Sequence, residues 1–377
     1  MGNKKKSRPV AIDVYAGVGG MSLGAARAGF DLAAAVELDP IAIETHAVNF
    51  PRAKHLPWDV ATTTGEKLLE TAGVKFGELD GLIGGPPCQG FSEIGRRARH
   101  DPRNALFGHF FRLVAETQPR FFVAENVPGL LDERNRDCVH EALSLVPENY
   151  KLLTVTEVAA HRFGAATTRA RVFFVGYDTQ RMNPLSEDAI FRGSESEFTT
   201  VGKALEGLPK VRSDWQTQSQ GWRVADRLPE DTPFRKKLTN AIPIGVGCPN
   251  AIERLRRSNE ISGNLGTRHA EEVVQRFMAL KPGTTDKVSR APRLTKDGFC
   301  PTLRAGTAAD KGSFQAVRPI HYGAPRVITP REAARLQGFP DWFQFHATKW
   351  HSFRQIGNSV SPLVAEGLLS RIRSKLQ

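Results

Sequence analysis

Hydrophobic and polar positions follow two rhythms along the chain. Over the first 180 residues, short apolar runs of strand length alternate with helical patterns. Pro9–Val14 is an apolar, β-branched run, followed by a glycine-rich turn and a helical pattern over Met21–Ala28. Leu32–Val36, Leu79–Ile83, Phe121–Ala124 and Arg171–Gly176 are four further runs of the same kind. Strand–helix alternation at this spacing predicts an α/β fold, a doubly wound, mostly parallel sheet with helices on both faces.

The rhythm changes at about Arg181. Pro, Gly, Ser and Thr punctuate more often and the apolar runs shorten. This predicts a smaller, irregular, β-containing domain. After about Lys349 the pattern is a turn plus one helix, Pro362–Leu376, too short to fold alone. The expected organisation is a catalytic and cofactor-binding domain over 1–180, a second domain over 181–348, and a C-terminal segment over 349–377 that returns to the first. Neither an internal repeat nor a low-complexity tract is visible.

Composition narrows the function classes. No stretch of 18 apolar residues occurs, so no membrane helix is expected. Met1–Val10 is basic with no apolar stretch behind it, unlike a secretory signal, and Lys6 stands where a myristoylation pattern needs Ser or Thr. The four cysteines, at 88, 138, 248 and 300, are widely spread. That disfavours a metal site or a disulfide framework and suits a reducing cytoplasm. The net charge of +12 fits a polyanionic partner. Residues 181–320 hold 23 Lys and Arg against 16 Asp and Glu, so much of the excess lies in the second domain.

Two segments carry candidate chemistry. Asp13-Val-Tyr-Ala-Gly-Val-Gly-Gly20 follows the first strand and opens a helix. Its glycines allow tight turns and close approach of a ligand to the backbone. Glu37 ends the second run, where a carboxylate can hold ribose hydroxyls, and Asp59 could accept from an adenine amine. This set suits an adenosine-containing cofactor, either a dinucleotide or S-adenosylmethionine.

Gly84-Gly-Pro-Pro-Cys-Gln-Gly-Phe-Ser92 follows the third run, at the strand end where open α/β sheets bind ligands. A lone cysteine is more often a small buried hydrophobe. Two prolines that would fix the direction of the Cys88 thiol reverse that expectation. Arg96, Arg97, Arg99, His100 and Arg103 follow closely and would favour a thiolate and attract phosphates. Glu125 closes the fourth run and could hydrogen-bond a base edge. Arg169 and Arg171 precede the fifth, and one of them could hold a base carbonyl. These groups fit one reaction. A thiolate adds to carbon 6 of cytosine and makes carbon 5 nucleophilic, an acid supports ring nitrogen 3, and a cation supports the carbonyl oxygen. The base would have to be flipped out of a duplex.

With these motifs in this order, the chain resembles the DNA (cytosine-5) methyltransferase family, of bacterial or phage restriction-modification or orphan type. The cofactor motif matches Asp13 to Gly20, with Tyr15 at the usual phenylalanine. The nucleophile motif matches Pro86 to Ser92, and the Glu-Asn-Val motif matches Glu125 to Val127. Arg326 to Pro340 looks like the segment that organises the target-reading domain. Gln355 to Pro362 looks like the final motif, which completes the cofactor pocket.

The resemblance implies a Rossmann-like fold with a target-recognition domain, and roles residue by residue. Cys88 attacks carbon 6, Glu125 engages nitrogen 3 and the amine, and Arg169 holds the base carbonyl, with Arg171 close by. Tyr15, Gly17, Gly19, Gly20, Glu37, Leu38, Asp59, Val60, Pro87, Leu106, Asn358 and Ser359 line an S-adenosyl-L-methionine site. Residues 90–106 form a loop that closes on DNA. Gln89, Ser92, Arg96, Arg97 and Arg99 face DNA. The target-recognition region varies between members, so no individual contact carries over there, and Arg304, Lys311 and Arg318 are read as DNA-facing from their charge. No metal is implied.

Expected partners are duplex DNA and a cognate restriction endonuclease, for a monomer in a bacterial cytoplasm, associated with the nucleoid. Two further departures from the family pattern cover three positions: Ala166 and Thr167 replace its Pro-Gln, and Trp58 stands at the common glycine before Asp59. The rival readings are an RNA (tRNA) cytosine methyltransferase, a catalytically inactive DNA-binding regulator and, more remotely, a nicotinamide-dependent oxidoreductase.

Overall fold

The protein is described by a computed structural model over residues 8–87, 105–193, 198–212, 219–305 and 318–376. Cys88, Gln89, Ser92, Arg96, Arg97, Arg99, His100, Arg103 and Lys311 therefore lie outside the described residues.

The first unit is an eight-stranded sheet. Its strands are β1 (Val10–Val14), β2 (Asp31–Val36), β3 (Lys54–Leu56), β4 (Gly81–Gly84), β5 (Phe121–Asn126), β6 (Tyr150–Leu152), β7 (Thr156–Ala159) and β8 (Ala170–Asp178). The order is β3-β2-β1-β4-β5-β8-β6, with β7 also paired to β8. β1 to β5 pair in parallel, and β8 runs antiparallel to β5, β6 and β7. The five runs read from the sequence become five of these strands. β3, β6 and β7 are three or four residues long and partly exposed, so they carry little periodic signal.

Helices cover both faces. α1 (Gly20–Arg27), α2 (Pro40–Asn49), α3 (Gly65–Ala72), α4 (Ala105–Thr117) and α5 (Arg136–Leu143) belong to the first unit. Alternate residues of a strand point to opposite faces, and the two cores show it. Phe122 and Ala124 of β5 join Val172 and Phe174 of β8 and Phe107, Phe110 and Phe111 of α4 on one side. Phe121 and Val123 join Phe173, Val175 and Tyr177 on the other, with Leu23 of α1. The rings of the α4 side meet edge to face, as Phe111 and Phe122 do at 5.7 Å and 88°.

The remaining chain is largely irregular, and its regular structure is mostly short helices: α6 (Glu187–Phe191), α7 (Val201–Leu205), α8 (Pro233–Thr239), α9 (Pro249–Ser258) and α10 (Glu271–Ala279). Its described β content is one two-residue pair, β9 (Arg223–Val224) with β10 (Glu260–Ile261), and a few isolated bridges. α11 (Pro330–Leu336), α12 (Lys349–Asn358) and α13 (Pro362–Arg373) follow. α11 starts with a capping box, in which Thr329 and Glu332 each bond the other's backbone. α12 occupies a stretch where the sequence suggests only a turn. Phe353 and Ile356, three apart, are buried by it, and tertiary packing supplies what local propensity does not.

α13 lies against α1. A Cβ on Gly24 would stand 2.3 Å from the Ala365 side chain, so the two helices meet at van der Waals contact. Trp342, Phe339 and Phe343 lie in the same core as α1 and β8, so the segment before α12 is packed on the first unit as well.

Candidate active site

The strand order turns back on itself at β1. β2 and β3 lie on one side of it, β4 and β5 on the other. Such switch points open a crevice at the carboxyl ends of the strands. Val14 pairs with Gly84 across the last register of β1 and β4. The glycine-rich turn after β1 and the Gly85–Pro87 segment after β4 are therefore neighbours.

The turn is built on left-handed backbone. Tyr15, Gly17 and Gly19 have φ of 59°, 56° and 97°. Left-handed backbone costs a non-glycine residue roughly 1–2 kcal/mol, and Tyr15 bears it. Its hydroxyl donates to the Leu106 carbonyl at 2.9 Å, which anchors the ring. Burial, with the Asp59 carboxylate, holds that phenol above its usual range. The Gly17 and Asp39 amides donate to the two oxygens of Glu37 at 2.9 and 2.8 Å. Glu37 is nonetheless pushed up from the ordinary carboxylate range, because burial outweighs those bonds.

Among the described residues, a Cβ on Gly17 would meet nothing within 4 Å, so they leave that side of the turn open. Leu38, next to Glu37 in the chain, is 61% exposed. Asp59 is exposed too, with one oxygen accepting from the Ala61 amide at 2.9 Å. Val60 is buried, and its carbonyl accepts from Arg112. Trp58, the departure before Asp59, has Lys67 over its ring at 4.6 Å.

The segment after α12 packs against this turn. A Cβ on Gly20 would stand 2.2 Å from the Val360 carbonyl oxygen and 3.3 Å from Cβ of Ser359. Ser359 is buried and donates to the Gln355 carbonyl, while Asn358 is exposed. Open space before Gly17, an apolar side chain, a buried carboxylate and an exposed one form a donor and acceptor set that fits an adenosine-bearing methyl donor.

The second cluster lies one strand along. Glu125 is near the end of β5 and Arg171 near the start of β8, where those strands pair. Arg171 Nε lies 2.8 Å from Glu125 Oε1. The contact is ionic rather than a directed hydrogen bond, since that oxygen has no well-aligned donor. Gly85 leaves room for the other oxygen, which would stand 3.3 Å from a Cβ there. Asn126 donates from its amide to the Pro86 carbonyl at 3.3 Å and ties the proline segment to β5. Pro87, half-buried, is the last described residue before Cys88.

Arg169 has other company. It is buried, and its Nη1 donates to the Leu303 carbonyl at 3.1 Å. Burial, with Arg171 nearby, holds its guanidinium well below its usual range, and the Glu125 carboxylate pulls it back up. Its Nε has no partner among the described residues. The departing Ala166-Thr167 pair is firmly fixed. The Ala166 amide donates to the Leu336 carbonyl at 3.0 Å, Cys300 N donates to the Ala166 carbonyl, and Thr168 N donates to the Cys300 carbonyl. A proline at 166 could make no such donation to Leu336.

A family model described as C-5 cytosine-specific DNA methylase matches residues 10–374. The chain belongs to the C-5 cytosine-specific DNA methylase family. It is thus a DNA (cytosine-5) methyltransferase. The type II methyltransferase M.XorII of Xanthomonas oryzae is 40% identical over 375 residues, which cover 98% of this chain and 86% of that one. M.DdeI of Desulfomicrobium norvegicum is 32% identical over 96% of this chain and 88% of that one. A crystal structure of a prophage-encoded E. coli protein, described as a DNA modification methyltransferase, is 46% identical. It covers 97% of this chain and 99% of that one, with a TM-score of 0.86. The Dnmt2 methyltransferase of S. pombe, 17% identical with a TM-score of 0.60, shares the fold.

Within the methylase, the structure gathers the expected site residues into two groups. Tyr15, Gly17, Gly19, Gly20, Glu37, Leu106 and Ser359 surround the turn, and Glu125 and Arg171 meet beyond the proline segment. Arg304 is exposed, and Arg318 lies with its guanidinium 4.1 Å from the centre of the Phe353 ring. Asn126 received no role from the sequence. Its neighbour Glu125 at a strand end was the signal available.

Proposed function

We propose that the methylase takes its methyl group from S-adenosylmethionine and delivers it to a flipped cytosine of a specific duplex DNA sequence, with Cys88 as the nucleophile. The observation that carries this is the Glu125–Arg171 pair, 2.8 Å apart, beside the Pro86–Pro87 segment that leads into Cys88.

The cofactor supplies an electrophilic methyl group. Tyr15, Gly17, Glu37, Leu38 and Asp59 would hold it, with Gly19, Gly20, Val60, Pro87, Leu106, Asn358 and Ser359 shaping the pocket. Addition of the Cys88 thiolate to carbon 6 makes carbon 5 nucleophilic. Glu125 donates to ring nitrogen 3 and accepts from the exocyclic amine. Loss of the carbon 5 proton then expels the thiolate and restores the ring. For the base carbonyl the geometry favours Arg171 over Arg169. Arg171 already faces Glu125, whereas Arg169 is committed to the Leu303 carbonyl.

Residues 181–325 are the target-reading region, with Arg304, Arg318 and Lys311 as phosphate or base contacts, alongside Gln89, Ser92, Arg96, Arg97 and Arg99. The type II names of M.XorII and M.DdeI support a partner restriction endonuclease. Among the described residues no helix is long and apolar enough to cross a membrane. We read the methylase as a cytoplasmic, nucleoid-associated monomer.

The deciding experiment offers 5-fluorocytosine in duplex DNA. A covalent adduct at Cys88 that Cys88→Ser abolishes, while DNA binding persists, is the expected result. Methylation of tRNA without any of duplex DNA would overturn the DNA reading, and normal turnover by Cys88→Ser would overturn the covalent one.

A further inference from the structure

Four polar side chains that the reaction does not use form a line behind the cofactor turn. Asp13, in β1, is 1% exposed, and the Ser22 hydroxyl of α1 donates to its Oδ2 at 2.5 Å. The same hydroxyl oxygen lies 3.0 Å from Nε2 of His46 in α2. His46 Nδ1 lies 3.0 Å from Nε2 of His55 in β3. His46 is fully buried and His55 is half-buried on β3, the edge strand of the sheet. The line thus runs from the interior to the margin of the fold. Asp13 Oδ1 has no partner among the described residues.

This line has two complete states. With Asp13 ionised, Ser22 donates to it, His46 donates from Nε2 to Ser22, and His55 donates from Nε2 to His46 Nδ1. With Asp13 protonated, every bond reverses. Asp13 donates to Ser22, Ser22 to His46 Nε2, and His46 from Nδ1 to His55 Nε2, which leaves the His55 proton on Nδ1. The second state holds one proton more than the first, and His46 is neutral in both. Burial pushes Asp13 up to about 7, against the lowering effect of Ser22, and the Glu37 carboxylate adds to the rise. Burial and the neighbouring His55 hold His46 well below the usual histidine range, and burial alone lowers His55. The ionisable neighbours that shift Asp13 and His46 are Glu37 and His55 respectively.

The line is tied to the turn mechanically. Asp13 and Ser22 bracket residues 14–21, so their bond closes the glycine-rich segment. The Gly19 backbone rests on the wall that His46 makes with Phe50. A Cβ on Gly19 would stand 3.0 Å from His46 and 2.3 Å from Phe50, whose rings lie 4.3 Å apart.

We propose that Asp13, Ser22, His46 and His55 form a proton wire that sets the charge behind the cofactor turn, with His46 as a positioning residue for that turn. The wire rests on geometry in the protein alone. Its consequence rests on the reading that the turn holds S-adenosylmethionine. An ionised Asp13 favours the cationic sulfonium of the methyl donor, and a neutral Asp13 favours the uncharged thioether left after transfer. The wire would let the site exchange one proton as donor gives way to product.

The test uses the full-length protein without DNA. Nitrogen-15 NMR of the ligand-free enzyme should show the His46 proton moving from Nδ1 to Nε2 as pH rises, with a midpoint near 7. A single His46 tautomer from pH 5.5 to 8.5 would overturn the wire. Asp13→Asn should fix the tautomer, and a persistent reversal in that variant would place the titrating group elsewhere and overturn the wire equally. Calorimetry with S-adenosylmethionine and S-adenosylhomocysteine should show the preference for the donor rising about fivefold between pH 6 and 8. A pH-independent preference would overturn the ligand coupling. If neither compound binds at any pH, the cofactor reading fails while the NMR result still decides the wire.

Discussion

Arg171 Nε and Glu125 Oε1 lie 2.8 Å apart at the joined ends of β8 and β5. Both side chains are largely buried, so each depends on the other. Removing one partner of a buried pair leaves the other charge uncompensated. Arg171→Ala should lower kcat by about 10²–10³, the range seen when one preorganised donor is removed from a site. Arg169→Ala should instead loosen the Leu303 contact and show mainly as a lower melting temperature. Steady-state kinetics and thermal melts of both variants separate the roles. The assignment of the base carbonyl to Arg171 is wrong if Arg169→Ala keeps its stability and loses the greater share of kcat.

Ala166 stands where the family pattern has proline, and its amide donates to the Leu336 carbonyl at 3.0 Å. Both residues are fully buried. Ala166→Pro would delete the donor and leave that carbonyl unsatisfied, a loss of about 1–3 kcal/mol. Urea denaturation should therefore show a lower midpoint with an unchanged slope. An equal or higher midpoint would mean that the bond contributes nothing.

The sequence carried the parts of the site that lie within one segment. The glycine turn, Glu37, the Pro-Pro-Cys segment and Glu125 each follow a strand-like run, so a strand–turn reading finds them. Groups assembled from several segments were not legible. Asp13, Ser22, His46 and His55 sit on four different elements, and each alone looks like an ordinary polar residue. The resemblance gives the base carbonyl to Arg169, and the proposal above gives it to Arg171 instead. Arg169 precedes the first residue of β8, where no strand pleat dictates its direction, while Arg171 lies within the strand. α12 is faint in the sequence because only two apolar residues, Phe353 and Ile356, mark its buried face, with Gly357 directly after them.

Glu332 offers a stability test with a definite sign. Its carboxylate accepts from both Arg326 terminal nitrogens, at 2.8 and 2.7 Å, and from the Thr329 amide at 2.7 Å. Burial alone would raise its pKa, but the hydrogen bonds and charge of Arg326 outweigh burial and hold it below 4.5. A depressed carboxylate contributes stability that is fully present above its unfolded value and lost as pH falls through the folded one. Glu332→Gln should cost about 3–5 kcal/mol at pH 7, since Arg326 is left buried without its partner. The gap between variant and parent should narrow below pH 4.5. Denaturation curves at pH 7 and pH 4 check this, and a gap that widens in acid would contradict it.

Gly17 and Gly20 make opposite demands, and the pair tests where the cofactor lies. At Gly17 a Cβ would meet no atom of the described residues within 4 Å, and φ is +56°. Gly17→Ala should therefore fold, with a strain cost of about 1–2 kcal/mol from the left-handed backbone. Its methyl group would project into the space before the turn. If that space holds the adenosine-bearing ligand, affinity for S-adenosylhomocysteine falls by tenfold or more, on the order of 1.4 kcal/mol. At Gly20 the Cβ would stand 2.2 Å from the Val360 carbonyl, a backbone atom with little freedom to move. Gly20→Ala should push the C-terminal segment away from the turn and lower both melting temperature and affinity. Calorimetry on Gly17→Ala decides the matter. Parental affinity in a variant that is folded would mean that the turn does not hold the cofactor.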